Sequence, residues 1–210
     1  VTFTGSWYDE TAEKEAAQKL IQNGAVLVSQ HADSMGAPTA CESANVPNVS
    51  YNGSTESACP NTFIVSSRIN WAPYLEHCIE AVRKGEKIEA DWIGTLADNS
   101  VLLTDFGKTA PAANTASAVE KAKKAIEDGT VHVFDVNTFT VTVTDEKNKN
   151  AKVDADGHLT SYMADVDTDA AYTPDTEVVK DGYFHESESR AAPYFDVQID
   201  GINLLDVNFG

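Results

Sequence analysis

The sequence predicts an α/β fold with a doubly wound, mostly parallel sheet, followed by a β-rich carboxyl-terminal extension. Strand-like and helix-like patterns alternate as βαβαβ over residues 1–52, which is typical of parallel sheets. From residue 130 onward the chain changes to short alternating stretches in polar, acidic sequence. We therefore expect an α/β domain over residues 1–135, incomplete at its amino terminus, and a β- and loop-rich acidic extension over residues 136–210.

The chain opens with a predicted strand, VTFTGSW, because its residues alternate and several are β-branched. A helix should begin after Asp9 and end at Asn23-Gly24, where capping and stop residues stand. Its apolar face comprises Ala12, Ala16, Leu20 and Ile21, and its charged side chains, expected to face solvent, are Glu13, Lys14, Glu15 and Lys19.

Three further strands follow, and the first, AVLVSQ, is a continuous apolar run of the kind that is covered on both faces. A short helix over residues 37–44 separates it from PNVSYN, and NTFIVSSRIN comes next. The helix after that strand ends at Gly85. Its predicted buried stripe is Ala72, Leu75, Ile79 and Val82.

The remaining elements are shorter. Residues 88–106 predict two strands around a turn at Asp98-Asn99, and an amphipathic helix follows over residues 115–128. In the extension we expect strands at VHVFD and FTVTVTD, a polar hairpin loop over residues 145–157, and one or two last strands in PYFDVQIDGINLLD with a turn at Asp200-Gly201.

Charge and composition exclude several classes of protein. The chain of 210 residues carries a formal net charge of −18, which argues against binding nucleic acid or anionic lipid. No apolar run approaches the ~18 residues of a membrane span. The three cysteines, Cys41, Cys59 and Cys78, allow at most one disulfide and form no CxxC pair, which makes zinc improbable. With neither an initiator Met nor a signal peptide, the chain is expected to be a processed or truncated product.

Catalytic and metal-binding motifs are weak. There is no GxSxG, GxGxxG or P-loop pattern, so hydrolase, dinucleotide and phosphate chemistry lack support. A small hydrolase that uses His31 and Ser34 is the third-ranked interpretation. Asp165, Asp167 and Asp169 resemble the first ligands of a calcium loop, but a solvated acidic loop is the better interpretation because the glycine and the final glutamate of such a loop are missing.

A binding site remains, at the carboxyl ends of the predicted strands, where α/β sheets bind ligands. Polar side chains at these ends offer donors and acceptors, and tryptophans offer flat apolar faces, the combination that a planar polar molecule requires. The candidate ligand-binding residues are Ser6, Trp7, Gln30, His31, Asp33, Ser34, Asn52, Asn70 and Trp71. On spacing alone, the alternative that the tryptophans are core residues and the polar groups cap helices ranks slightly ahead of a binding site.

Four stretches of the first 135 residues resemble the basic membrane protein (BMP) family of solute-binding lipoproteins of ABC importers. They are GSWYDETAEKEAAQKLIQNGAVLVSQHADS, VSYNGS, SSRINWAPYLEHCIEAVRKGE and WIGTLADNSVLLTDF. The resemblance implies a fold similar to type I periplasmic binding proteins, in which two α/β lobes clamp a ligand. It also implies a non-enzyme without a cofactor that delivers purine nucleosides, nucleobases or vitamins to a membrane permease.

The same resemblance places the binding loops at Ser6-Trp7, Gln30 to Ser34, Tyr51-Asn52 and Asn70-Trp71. Asn52 occupies a position where nucleoside-binding relatives hold the ribose with an aspartate, so a base or another small heterocycle is as good a candidate as a nucleoside.

The resemblance also carries expectations about partners. The amino-terminal lobe of the family should precede Val1, so we expect it to be a separate chain, or the fragment to self-associate. The protein is expected at the surface of a bacterium, as a lipoprotein anchored through a part outside this chain. An interaction or assembly domain that binds no solute is the alternative function.

Overall fold

A computed structural model of the chain describes residues 1–167, 169–188 and 195–205. The chain forms two compact units. The first comprises Val1–Ile88 and Gly94–Lys123 together with the carboxyl-terminal residues from Asn203, and the second comprises Glu89–Ile93 and Lys124–Ile202. The division into domains at residue 135 stays a prediction.

The first unit contains a four-stranded sheet in the order β1-β2-β3-β4. Its strands are β1 (Val28–Ser29), β2 (Asn48–Tyr51), β3 (Phe63–Ile69) and β4 (Val101–Leu103). The first three are parallel and β4 is antiparallel to β3. The mixed α/β class with a mostly parallel sheet is therefore confirmed.

The helices lie where the sequence predicts them: α1 (Glu10–Gln22), α2 (Gly36–Ala44), α3 (Ala72–Lys84) and α4 (Thr115–Glu127). Their ends follow from cap chemistry. The Asp9 carboxylate accepts a hydrogen bond from the Ala12 N–H at 2.9 Å and starts α1. Gly85, with φ of 71°, ends α3 in the left-handed conformation that glycine adopts without steric cost.

Small residues let α1 and α2 pack closely. Ala17 on α1 and Ala37 and Ala40 on α2 form a buried cluster. Gly36 lies so close to α1 that a Cβ atom there would sit 2.2 Å from the carbonyl oxygen of Glu10. The absence of a side chain at this position is thus a condition for the helix contact that supports the loop between β1 and α2.

Two strand predictions in the first unit are wrong. Residues 1–7 join no β-ladder within the described chain, although the Trp7 carbonyl accepts a hydrogen bond from the Asp33 N–H at 2.8 Å. A β-pattern makes a strand only where a neighbouring backbone completes its hydrogen bonds. Residues 88–106 form a single strand, β4, because residues 88–94 join no β-ladder within the described chain.

The predicted buried stripe of α3 is also wrong. Leu75, Ile79 and Val82 are 54%, 59% and 66% exposed, and Ala72 is exposed as well. Ala81 is the residue of α3 that is buried. The amphipathic pattern predicted the helix correctly, but no described part of the chain covers its apolar face.

In the second unit, β5 (Ala151–Val153), β6 (Leu159–Ala164) and β7 (Thr176–Glu177) form an antiparallel sheet. β8 (Val179–Lys180) and β9 (Tyr183–Phe184) form a hairpin. The core is aromatic: Phe184 is fully buried, and the rings of Phe134 and Phe195 stack 3.7 Å apart beside it.

The extension differs from its prediction in detail. VHVFD and FTVTVTD form no strands, apart from an isolated bridge at Asp135. Residues 145–157, predicted to be a polar loop, instead contribute β5, which pairs with β6. The turn at Asp200-Gly201 is present, but residues 195–205 form no strand; the rest of the predicted last strands lies outside the described residues.

The three cysteines are not in disulfides, and Cys41 and Cys59 are buried. Burial, with a smaller effect from the neighbouring Cys59, raises the pKa of the Cys41 thiol to about 11. Cys41 therefore packs as a small apolar group, whereas the Cys59 thiol donates to the Thr55 carbonyl oxygen at 3.1 Å. Every helix of the described residues is too short or too polar to span a membrane.

The Glu177 side chain on β7 forms hydrogen bonds with residues of both β6 and β8. Its carboxylate accepts hydrogen bonds from Ser161 Oγ and from the N–H groups of Tyr162 and Val179, the last two at 2.9 Å. Burial raises the pKa of this carboxyl, but the hydrogen bonds outweigh burial and hold the pKa below its usual value.

Replacing Gly36 by alanine should destabilise the first unit. The new Cβ would clash with the backbone of α1, so we expect a loss of about 1–3 kcal/mol in the free energy of unfolding, measured by urea titration. Gly53→Ala is the matched control, because a Cβ there meets no atom within 4 Å. Equal stabilities of the two variants would contradict the close contact.

Glu177→Gln should destabilise the second unit in a pH-dependent way. Because the folded pKa lies below the unfolded one, the contribution of the carboxylate is present above the unfolded value, about 4.3, and is lost as the pH falls through the folded pKa. We expect a deficit of about 1 kcal/mol at neutral pH that narrows in acid. Thermal unfolding from pH 7 to pH 3 measures it, with the exposed Glu146→Gln as control; a deficit independent of pH would contradict the assignment.

Candidate ligand-binding site

The parallel strands bring the predicted site residues to one edge of the sheet. Gln30 follows β1, Asn52 follows β2 and Asn70 follows β3. Since β1, β2 and β3 are parallel, their carboxyl ends meet at the same edge, where α/β sheets bind ligands.

An aromatic cluster borders this edge. The ring of His31 lies against that of Tyr51, with centroids 4.4 Å apart and planes inclined by 30°. The ring of Trp7 also lies near His31, at 6.2 Å between ring centroids. Because Trp7 is 70% exposed, its ring offers a free face for stacking.

Gln30 and Glu13 form a polar network beneath the aromatic cluster. The Gln30 Nε2 donates to the carbonyl oxygens of Ala32 at 2.6 Å and Ser34 at 2.8 Å, and to Glu13 Oε2 at 3.3 Å. Glu13 Oε2 also accepts from the Ser34 N–H at 3.2 Å, and Oε1 accepts from the Asp9 N–H at 2.9 Å. The network holds the loop after β1 against the start of α1.

Two predicted site residues are occupied by local hydrogen bonds. Ser34 is 1% exposed, and its Oγ accepts from the N–H of Gly36 at 3.1 Å. Ser6 Oγ donates to the Tyr8 carbonyl at 3.1 Å and accepts from its N–H at 3.2 Å. Both side chains stabilise turns of the loops that carry Trp7 and Asp33.

Asn52 takes the left-handed conformation at the end of β2, with φ of 68°. Its N–H donates to the Ser67 carbonyl at 2.6 Å, and its side chain is exposed. Asn70 instead supports α3: its Oδ1 accepts from the Ala72 N–H at 3.3 Å, and its Nδ2 donates to the Asn99 carbonyl at 2.9 Å.

Two cavities adjoin the loop after β1. One, of about 240 Å³, lies between the loops that follow β1 and β2 and is lined by Gln30, Asp33, Tyr51 and Asn52 among others. The other, of about 530 Å³, is mainly apolar and lies between residues 1–7, α1 and β1.

The two cavities divide the nine predicted residues. Gln30 lines both cavities, and Ser6, Trp7 and His31 line the larger one. Asn70 and Trp71 line neither of the two.

Neither catalysis nor metal binding gains support from the geometry. Ser34 is buried, as described above, so it does not present a nucleophile to solvent. Asp165, Asp167 and Asp169 each accept a backbone N–H within their own loop, at 3.2, 2.9 and 2.7 Å. Within residues 1–167, 169–188 and 195–205, no group of three or more histidine, cysteine or acidic side chains is placed to hold a metal ion.

Residues 1–131 match the model of a protein family, Bmp, described as ABC transporter substrate-binding protein PnrA-like. The chain belongs to this family. The match covers the first unit except for its residues from Asn203 onward, and it ends near the start of the acidic extension. Bmp proteins are substrate-binding components of ABC transporters, which places this chain in a non-catalytic family. No protein in the curated set matches the chain.

The chain is similar to two solved structures, and the first of them shows the same fold over the part that is matched. A solute-binding protein of an ABC transporter system from Conexibacter woesei DSM 14684 is 22% identical with a TM-score of 0.50, over 62% of this chain and 44% of that one. A second, from Aeropyrum pernix K1, is 16% identical with a TM-score of 0.47, over 68% and 47% of the two chains. The chain thus spans less than half the length of these structures.

Glu13 is a site residue that the sequence did not predict: its pattern places the side chain on the solvent-facing side of α1, but the residue is 3% exposed. Its position in the first turn, four residues after the cap residue Asp9, was the available signal. A glutamate there reaches back to the N–H groups at the start of a helix. The same orientation turns its second oxygen toward the loop after β1.

Asn52→Ala should cost about 1 kcal/mol in unfolding free energy, because alanine tolerates φ of 68° less well than asparagine does. Asn52→Gly should leave stability within about 0.5 kcal/mol of wild type, since glycine adopts this conformation readily. Chemical denaturation compares the two variants. Equal losses of unfolding free energy would show that the side chain and not the backbone conformation stabilises this turn. Because Asn52→Gly is expected to keep the stability of wild type, it is the variant to use in binding studies.

Proposed function

We propose that this Bmp-family chain binds a small planar solute, a purine nucleoside or nucleobase, at the carboxyl edge of its parallel sheet. The observation that carries the proposal is the family match over residues 1–131, together with the location of the cleft at that edge. Flat aromatic faces beside neutral and acidic polar groups suit a heterocycle with hydrogen-bonding edges.

Within the site, the proposed roles follow from exposure. Trp7 and His31 supply a stacking face, and Asp33 and Asn52, both exposed at the cleft, supply polar contacts. Ser6 and Ser34 act through the loops that they stabilise. Asn70 and Trp71 stand at the same edge but outside the two cavities, so their contact with ligand requires a closed form of the protein.

The mechanism that we propose is closure of a second lobe over the ligand, which a membrane permease of an ABC importer then recognises. The second lobe would come from a part of the protein outside this chain, or from another chain. We further propose an extracellular or cell-surface location, with lipid anchoring. No cofactor takes part in this mechanism.

Binding is tested by native mass spectrometry of the purified protein, followed by calorimetric titration with guanosine, adenosine and hypoxanthine. Trp7→Ala should weaken binding about tenfold, because stacking on a base is worth about 1–3 kcal/mol. Trp7→Phe should retain most of the affinity. Trp71, 63% exposed, provides a matched comparison, and a Trp71→Ala variant that binds like wild type would remove Trp71 from the stacking role.

A second candidate, an assembly domain that binds no solute, is favoured by the exposed apolar stripe of α3, formed by Leu75, Ile79 and Val82. The same native mass spectrum separates the two candidates. A small molecule in the mass range of a nucleobase or nucleoside supports solute binding. A homodimer with nothing bound, which also fails to bind any of the three titrated compounds, supports assembly.

A further inference from the structure

The side-chain amide of Gln30 has a fixed orientation. Its Nε2 lies within hydrogen-bonding distance of three oxygens, the carbonyls of Ala32 and Ser34 and the carboxylate of Glu13. All three are acceptors, so the NH₂ group and not the carbonyl oxygen must face them. The opposite orientation would place Gln30 Oε1 against three oxygens without a proton between them.

This orientation leaves an acceptor free. Gln30 Oε1 is buried and has no hydrogen-bond partner in the described part of the chain. The residue lines both cavities, the larger one with Trp7 and the smaller one with Asp33. A buried carbonyl oxygen without a partner is unfavourable, so its presence at a cleft indicates that a donor reaches it.

Glu13 maintains the arrangement. Its carboxylate accepts from the N–H groups of Asp9 and Ser34 as well as from Gln30, and it is 3% exposed. An ionised carboxylate accepts hydrogen bonds but donates none, so it prevents the Gln30 amide from turning. A neutral amide at position 13 would lack one of these acceptor oxygens.

We infer that Gln30 Oε1 accepts a hydrogen bond from an N–H or O–H group of the bound solute, and that Glu13 is the positioning residue that fixes this acceptor. The inference rests on the proposed function, because it assigns a role within the same site. It restricts the solute to molecules that present a donor to the loop after β1. For a purine, that donor is a ring N–H, an exocyclic amino group or a ribose hydroxyl.

Matched ligands and a matched variant test whether Gln30 Oε1 accepts a hydrogen bond from the solute. Guanosine, inosine and adenosine are titrated beside analogues that each lack one donor: the 1-methyl, N6,N6-dimethyl, 2′-deoxy and 3′-deoxy forms. Gln30→Met keeps the length of the side chain and removes the acceptor. One analogue should bind wild type about tenfold more weakly than its parent, whereas Gln30→Met should bind the two within about twofold.

The inference is overturned if every analogue loses as much affinity for wild type as it does for Gln30→Met. In that case Gln30 Oε1 accepts no hydrogen bond from the solute. Gln30→Leu replaces Gln30→Met if the latter has a lowered melting temperature. Circular dichroism of each variant shows whether the fold is retained before any titration is interpreted.

The positioning role of Glu13 is tested with Glu13→Gln against Glu10→Gln, which removes an exposed carboxylate from the same turn of α1. Hydrogen exchange of the Ser34 amide should be at least about tenfold faster in Glu13→Gln and unchanged in Glu10→Gln. The Glu13→Gln protein should also lose its discrimination between the parent ligand and the sensitive analogue. Retained discrimination would overturn the positioning role.

The ligand titrations and the hydrogen-exchange comparison together separate failure of this inference from failure of the proposed function. If wild type binds none of the purines, the proposed purine binding and the role of Gln30 as the acceptor for the solute are both wrong. The exchange comparison then still decides whether Glu13 holds the loop after β1. If wild type binds a purine but shows no analogue sensitive to Gln30, the proposed function stands and the inference about Gln30 is wrong.

Discussion

A buried carboxylate, that of Glu13, organises the edge of the sheet where a ligand would bind. Removing a charge from water is costly unless hydrogen bonds replace its hydration. Here three N–H donors do so, and they come from three places: the start of α1, the loop after β1 and the side chain of Gln30. The group therefore joins segments that are distant in sequence, and the close packing of Gly36 against α1 completes the support.

The site consequently has a fixed polar base and an open aromatic rim. The base, around Gln30 and Ser34, is saturated with hydrogen bonds apart from one acceptor. The rim, with Trp7 largely exposed and His31 resting on Tyr51, offers surface area without a prescribed partner. Stacking tolerates many heterocycles, whereas a fixed acceptor distinguishes among them. Affinity and selectivity would then arise from different groups along the same edge of the sheet.

Helices were easier to predict than strands here, for a physical reason. Asp9 and Gly85 mark helix ends through contacts within a few residues, so sequence alone contains the information. A strand requires a neighbouring backbone that continues the hydrogen-bond ladder, and VTFTGSW joins no β-ladder among the described residues. The placement of site residues at one edge follows from the parallel order, which the βαβ pattern does predict. The burial of Ser34 and the contact of Glu13 with the loop after β1 depend on packing between segments distant in sequence, which no local pattern encodes.

The extension differs from the rest of the chain, because the family match stops at residue 131 while the larger segment of the second unit begins at Lys124. This unit has its own aromatic core around Phe184 and Phe195, and the Glu177 carboxylate hydrogen-bonds its strands to one another. These stabilising contacts lie inside the unit, whereas the family match covers the sheet of the first unit. In the described part of the second unit, Asp165, Asp167 and Asp169 each accept a backbone N–H of their own loop, so these carboxylates stabilise the turns in which they lie.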